Sequence, residues 1–209
     1  MEQFVSLSAI AAPMLRINID TDQIIPAKYL VRASDKGIGE GLFAGWRLRP
    51  DGSPDPDFIL NREPWSQAEI LLADRNFGCG SSREGAPKAL RERGFRVVIA
   101  PSFGGIFFNN CFRNGILPIE LPIEQVRQIA GEMEAAGSSG RVHVDLQQEK
   151  IIAPAGSTFT FRSPRMLRQM LLEGLDEIEM TLRRSTEIEA FRQHDAARRP
   201  WVYRPGADN

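Results

Sequence analysis

Residues 76–86 read NFGCGSSREGA, a stretch that sets small residues beside one fixed positive charge. It follows the apolar run AEILLAD (68–74) and precedes a helix-forming run, so it reads as the turn between a buried strand and a helix. Gly78 and Gly80 let the backbone approach a ligand closely. The free N–H groups at the opening of a helix then face an anion. Ser81 and Ser82 add short hydroxyl donors, and Arg83 adds a planar fork that fits a carboxylate. Two readings follow from spacing alone: an anion-binding turn, or an ordinary loop whose serines cap the helix. The GxxxxGK(S/T) string of a P-loop is absent, and so is the GxGxxG spacing of a dinucleotide site.

Other reactive side chains are few. Cys79, Cys111, His143 and His194 are scattered along the chain, which makes no structural zinc site. Two thiolates also fall short of the three or four that hold an iron–sulfur cluster, so no metal is expected on this chain. Both cysteines are expected as free thiols. Asp20 and Asp22, in NIDTDQII, suit a turn cap better than a pair of acid catalysts. Glu84 is expected to orient Arg83 or the turn.

The elements that position these residues follow from patterning. The chain has 209 residues, 42% hydrophobic and 25% charged, with 26 basic against 27 acidic residues. That balance argues against a nucleic-acid or membrane-surface partner. No apolar run reaches the roughly 20 residues of a spanning helix. The N-terminus lacks the basic region of a signal peptide, so a cytoplasmic location is expected. Residues 37–64, rich in Gly, Pro and Asp, read as a long irregular excursion. After strand 68–74, a helix is expected from about Ser82 to Arg93, with Pro87 in its first turn and Gly94 ending it. RVVIA (96–100) and GILPIEL (115–121) read as buried strands, and 123–137 as a helix. The alternation over 142–161 reads as hairpin strands, and helical spacing resumes from Arg165. The order strand–helix–strand indicates an α/β layered domain with parallel strands, followed by a tail that either frays or clamps a partner.

The string GCGSSRE resembles the signature of the swivelling domain of the aconitase superfamily. NIDTDQIIPAKYL, VVIAPSF, GILPI and GLDEIEMTL extend the resemblance, in order, to the small-subunit family of 3-isopropylmalate dehydratase over nearly the whole chain. The resemblance implies an α/β fold, an aconitase-type swivelling β/β/α domain over 1–182, with a helical C-terminal extension over 183–209 that contacts a large subunit. It implies a hydro-lyase that isomerises a small 2-hydroxy dicarboxylate, 2-isopropylmalate, by dehydration and rehydration in leucine biosynthesis. It assigns Ser81 to proton transfer, and Ser82, Arg83, Arg16 and Gly80 to substrate binding. Lys28, Tyr29, Leu30 and Val31 match the segment beside the substrate's variable side chain. No cofactor is expected on this chain; a 4Fe–4S cluster is expected on the large subunit. Alternatives are the small subunit of a related dehydratase (homoaconitase, citraconate/methylmalate or dimethylmalate) and a non-catalytic paralogue. The chain departs from the family at Leu15, where aspartate is common, and at Gly85, where histidine is usual. A side chain at 85 is expected to stiffen the helix unless only glycine fits there.

Overall fold

The computed structural model describes residues 1–31, 37–80 and 84–203. It divides into two compact units, Met1–Gly174 and Leu175–Asn209.

The first unit is built on two four-stranded sheets. Strand β1 (Ser6–Ala9) runs almost directly into β2 (Ala11–Met14), and the chain passes from one sheet to the other between them. At that crossing the Ile10 carbonyl accepts from the N–H groups of Glu69 and Ile70, which starts the next strand in register. Past β2 come α1 (Thr21–Ile24), α2 (Ala27–Val31) and α3 (Ala44–Arg47). Strand β3 (Ile70–Ala73) leads into α4 (Gly85–Glu92), β4 (Val97–Ala100), α5 (Gly105–Arg113) and β5 (Leu117–Glu120). Helix α6 (Ile123–Ala136) then packs against β2, β3 and β4.

The parallel sheet runs β2-β3-β4-β5. Its central strands are buried at every position, as expected where helices cover both faces. Pro13 lies in β2, the edge strand, where its missing N–H leaves no gap in the ladder. Strands β6 (Val142–Asp145), β7 (Lys150–Ile152) and β8 (Thr158–Thr160) form the expected antiparallel hairpins, and β1 joins them at β6. Helix α7 (Arg165–Glu173) closes the unit, where Gly174 takes the left-handed conformation that ends it.

The excursion over 37–64 is folded into the core. Leu42, Phe43, Phe58 and Leu60 are buried. The buried Arg47 guanidinium donates to the carbonyls of Leu42 and Glu40, and Asn61 Nδ2 donates to those of Arg47 and Asp55. Desolvation lowers the pKa of Arg47, and these carbonyls are what its charge has in exchange for water. Helix α5 was not signalled by patterning. It is carried by Phe107, Cys111 and Phe112, all buried.

In the second unit α8 (Glu177–Leu182) opens on a capping box between Asp176 and Glu179, and α9 (Ser185–Arg198) follows. Asp195 receives a bidentate pair of bonds from Arg199, at 2.7 Å each, and a third from Tyr203 Oη at 3.0 Å. That carboxylate ties Arg199 and Tyr203 back to the end of α9.

Candidate active site

The C-terminal ends of β2, β3 and β4 lie side by side, and the glycine-rich turn rises from the middle one. Its first half is held by main-chain bonds on both flanks. On one flank, Phe77 N–H donates to the Ser102 carbonyl at 3.0 Å and the Phe77 carbonyl accepts from Gly104 N–H at 2.9 Å. On the other, Gly78 N–H donates to the Ile19 carbonyl at 2.7 Å and the Cys79 carbonyl accepts from Thr21 N–H at 3.0 Å. The turn is therefore stitched to segment 19–21 and to segment 102–104.

Gly78 and Gly80 both have positive φ, +71° and +90°. A Cβ on Gly78 would lie 2.6 Å from Phe107 Cδ1 and Cδ2, so the turn rests directly on the face of that ring. Phe107 is itself packed edge-on to Phe77 (5.4 Å between centroids) and stacked with Phe103 (6.3 Å). Beside Gly80 lie the side chains of Asp20 and Thr21. Asp20 is the N-cap of α1: its carboxylate accepts from Gln23 N–H at 2.7 Å and Gln23 Oε1 accepts from Asp20 N–H at 3.0 Å. The capping role expected of Asp20 is thus met.

Ser81, Ser82 and Arg83 lie outside the described residues. On their far side Glu84 forms an ion pair with Lys88 at 2.8 Å, one turn along α4. Gly94, with φ +92°, ends α4 as expected. Gly85 opens α4 without a positive φ, so no backbone strain asks for glycine there; a Cβ would instead press on Leu30. The segment Lys28–Val31 lies in α2, with the Lys28 ammonium 5.1 Å from the Tyr29 ring; the side chain of Val31 lies outside the described residues.

Arg16 is exposed, and its guanidinium sits 4.7 Å from the ring centroid of Trp46. It lines a cavity of about 660 Å³ with Arg49, Arg62, Trp46 and Asp55. Among the described residues, none of Phe77–Gly80 is in that wall. Cys79 is half-buried and Cys111 fully buried, both free thiols, and burial pushes the Cys111 thiol pKa up, which keeps it protonated. Among the described residues no three His, Cys, Asp or Glu side chains converge as a metal site. This donor set does not fit an iron–sulfur cluster, which needs several thiolates.

The supports of the turn at Ile19, Thr21, Ser102 and Gly104 are main-chain groups. No side-chain pattern announces such contacts.

Comparison with known proteins agrees with this arrangement. The family model of the aconitase C-terminal domain matches residues 1–124. A relative from Cupriavidus necator, the 3-isopropylmalate dehydratase small subunit, is 51% identical over 208 residues, covering 99% of this chain and 100% of that protein. A protein of the same name from Gluconacetobacter diazotrophicus is 48% identical over 204 residues, covering 98% of each. A crystal structure of 3-isopropylmalate dehydratase from Methanocaldococcus jannaschii superposes with a TM-score of 0.64 at 26% identity, covering 90% of this chain and 99% of that one.

Proposed function

Since the chain belongs to the 3-isopropylmalate dehydratase small-subunit family, within the aconitase C-terminal domain fold, we propose that it is the small subunit of a hydro-lyase interconverting 2- and 3-isopropylmalate. The observation that carries this reading is the turn after β3, which is braced on two flanks by main-chain bonds at Phe77–Cys79; in the sequence Ser81, Ser82 and Arg83 follow directly, before α4.

The reaction removes a proton from carbon 3 and the hydroxyl from carbon 2, then adds water back with the two positions exchanged. Carbon acids next to a carboxylate are weak, so a base and cationic donors must act together on the developing charge. In our reading Ser81, as alkoxide, takes the proton and later returns it at the neighbouring carbon. Arg83 and the N–H groups of the turn lower the cost of that alkoxide. Arg83 holds one carboxylate bidentately, Ser82 hydrogen-bonds the substrate, and Gly80 leaves room for close approach. Arg16 serves the second carboxylate from the edge of the sheet. Lys28, Tyr29, Leu30 and Val31 flank the isopropyl group.

The electrophile for the departing hydroxyl lies beyond this chain's thiols, and we assign it to a 4Fe–4S cluster on a large subunit. That division of labour makes the second unit, with Ile178, Leu182, Phe191 and Trp201 exposed, a contact surface for the larger partner. No helix among the described residues is long and apolar enough to cross a membrane, which is compatible with the cytoplasmic setting we assign.

The test is reconstitution with the large subunit under anaerobic conditions. Ser81→Ala should lower kcat on 2-isopropylmalate by ~10²-fold or more while leaving subunit association intact. Wild-type turnover by Ser81→Ala, or a cluster assembled on the isolated chain by iron and sulfide, would overturn the assignment.

A further inference from the structure

Helix α2 is seated on two positions that have no side chain. A Cβ on Gly41, in the 3-10 turn Ile38–Gly41, would lie 2.5 Å from both Cβ and Cγ of Tyr29. A Cβ on Gly85 would fall well inside van der Waals contact of Leu30 Cδ2, 3.6 Å from Leu30 Cγ and 3.8 Å from Ile38 Cδ1. These glycines come from elements far apart in sequence, yet both meet the same short helix. The 3-10 turn is in turn fixed to the far end of α4, because Gly39 N–H donates to Glu92 Oε2 at 2.7 Å. At the other end of the same stretch Asp20 Cβ lies 3.5 Å from where a Cβ on Gly80 would stand. Residues 20–30 thus run alongside the turn, touching it at Gly80 and touching its helix at Gly85.

We propose that Gly85 is a specificity-positioning residue: its missing side chain lets Leu30 lie against the start of α4, and that contact sets the room left beside the turn for the substrate's alkyl group. The inference rests on the functional reading above, which places Lys28–Val31 beside that group. The physical basis is local. A methyl carbon at Gly85 would force Leu30 to give by roughly 1 Å to recover ordinary carbon–carbon contact. Ile38, buried at 8% exposure and close to the same point, blocks retreat into the core. Leu30 would therefore shift away from Ile38, and the room beside the start of α4 changes with it. One displaced methyl in an apolar subsite is enough to discriminate between substrates that differ by a carbon or two.

The experiment uses the chain reconstituted with its large subunit and compares kcat/KM for 2-isopropylmalate with that for 2-methylmalate. Gly85→Ala should lower the ratio at least ~5-fold, through KM for the bulkier substrate, with kcat on the smaller one retained. In a Leu30→Ala background, where the Cγ and Cδ atoms that meet position 85 are gone, Gly85→Ala should leave the ratio within about 1.5-fold of Leu30→Ala alone. Leu30→Ala by itself should move the ratio towards the bulkier substrate, so a Gly85→Ala chain that fails to fold does not remove the test. An unchanged ratio in Gly85→Ala or in Leu30→Ala, or the same shift from Gly85→Ala in both backgrounds, overturns the proposal. Failure of the functional reading would show separately, as a wild-type pair with no turnover of 2-isopropylmalate.

Discussion

Substituting Gly78 by alanine tests whether the turn rests on Phe107 as tightly as its geometry states. Two costs add. Gly78 has φ +71°, and an L-residue in that region costs roughly 1–2 kcal/mol. The new methyl would also stand 2.6 Å from two ring carbons of Phe107, and overpacking of that kind costs about 1–3 kcal/mol. The sum, roughly 2–5 kcal/mol, is a large part of the 5–15 kcal/mol typical of a whole domain. For a unit of this size it corresponds to a fall in Tm on the order of 10 °C. The assay is thermal and urea unfolding of the isolated chain by circular dichroism, with Phe107→Ala as the second background. Phe107→Ala itself is costly, about 3–5 kcal/mol, but it removes the ring. In that background Gly78→Ala should lose only the backbone part, so the cycle should show a coupling of about 1–3 kcal/mol. Strict additivity would mean the ring does not support the turn, and a Gly78→Ala chain as stable as wild type would refute both parts of the reasoning.

Three other outcomes are expected. Arg83→Lys should raise KM for 2-isopropylmalate in the reconstituted enzyme far more than it lowers kcat, since lysine has no bidentate fork; steady-state kinetics decide it, and an unchanged KM removes Arg83 from substrate binding. Glu149 accepts from Ser163 N–H at 2.7 Å and Ser163 Oγ at 2.8 Å and pairs with Arg168; partial burial works to raise its pKa, yet these partners hold it below the ordinary carboxylate value. Because the folded-state value is depressed, the stabilisation is present at neutral pH and is lost as pH falls through the acidic carboxylate range, so Glu149→Gln should flatten that part of a stability-against-pH curve; a curve identical to wild type would contradict it. Asp195→Asn should release the segment around Trp201, seen as faster hydrogen exchange over residues 199–203 with α4 and β3 unaffected, whereas unchanged exchange would show that Arg199 and Tyr203 are held by something else.

Much of the first unit was legible in the sequence because its central strands are continuous apolar runs bounded by turn residues. Strands β3, β4 and β5 fall inside the runs 68–74, 96–100 and 115–121, and Gly94 and Gly137 stop their helices where expected. Helix α5 escaped because GIFFNNCFR is aromatic and asparagine-rich, with low intrinsic helix propensity; tertiary packing of Phe107 and Phe112 overrides it. Strands β1 and β2 escaped because SLSA and AAPM are short and low in β-branched residues, and Pro13 argues against a central strand. The excursion over 37–64 is ordered by side-chain bonds to carbonyls, from Arg47 and Asn61, which have no period to read. At the site, the residues of the turn were named by type and spacing, while the groups that brace it were not. Glu84 was expected to orient Arg83 or the turn; its Oε1 pairs with Lys88, and Arg83 lies outside the described residues.

The difference between what was readable and what was not has a chemical logic. Side chains that react must be of particular types, so they leave a signature; backbone amides that hold them can be carried by any residue, so they leave none. Here the carbonyls of Ile19 and Ser102 and the N–H groups of Thr21 and Gly104 hold Phe77, Gly78 and Cys79 on both flanks of the turn. In the mechanism proposed above, a base working as an alkoxide needs its surrounding dipoles fixed before the substrate arrives, because reorienting them during the reaction would return the energy they are meant to supply. Main-chain bonds are suited to that task, being short, directional and free of the rotamer entropy a long side chain would lose. Glycines at 78 and 80 make the close stitching sterically possible, and glycines at 41 and 85 extend it to α2. The rigidity of the turn and the placement of α2 thus both rest on positions without side chains: a Cβ at 78 is expected to loosen the turn, and one at 41 or 85 to displace α2.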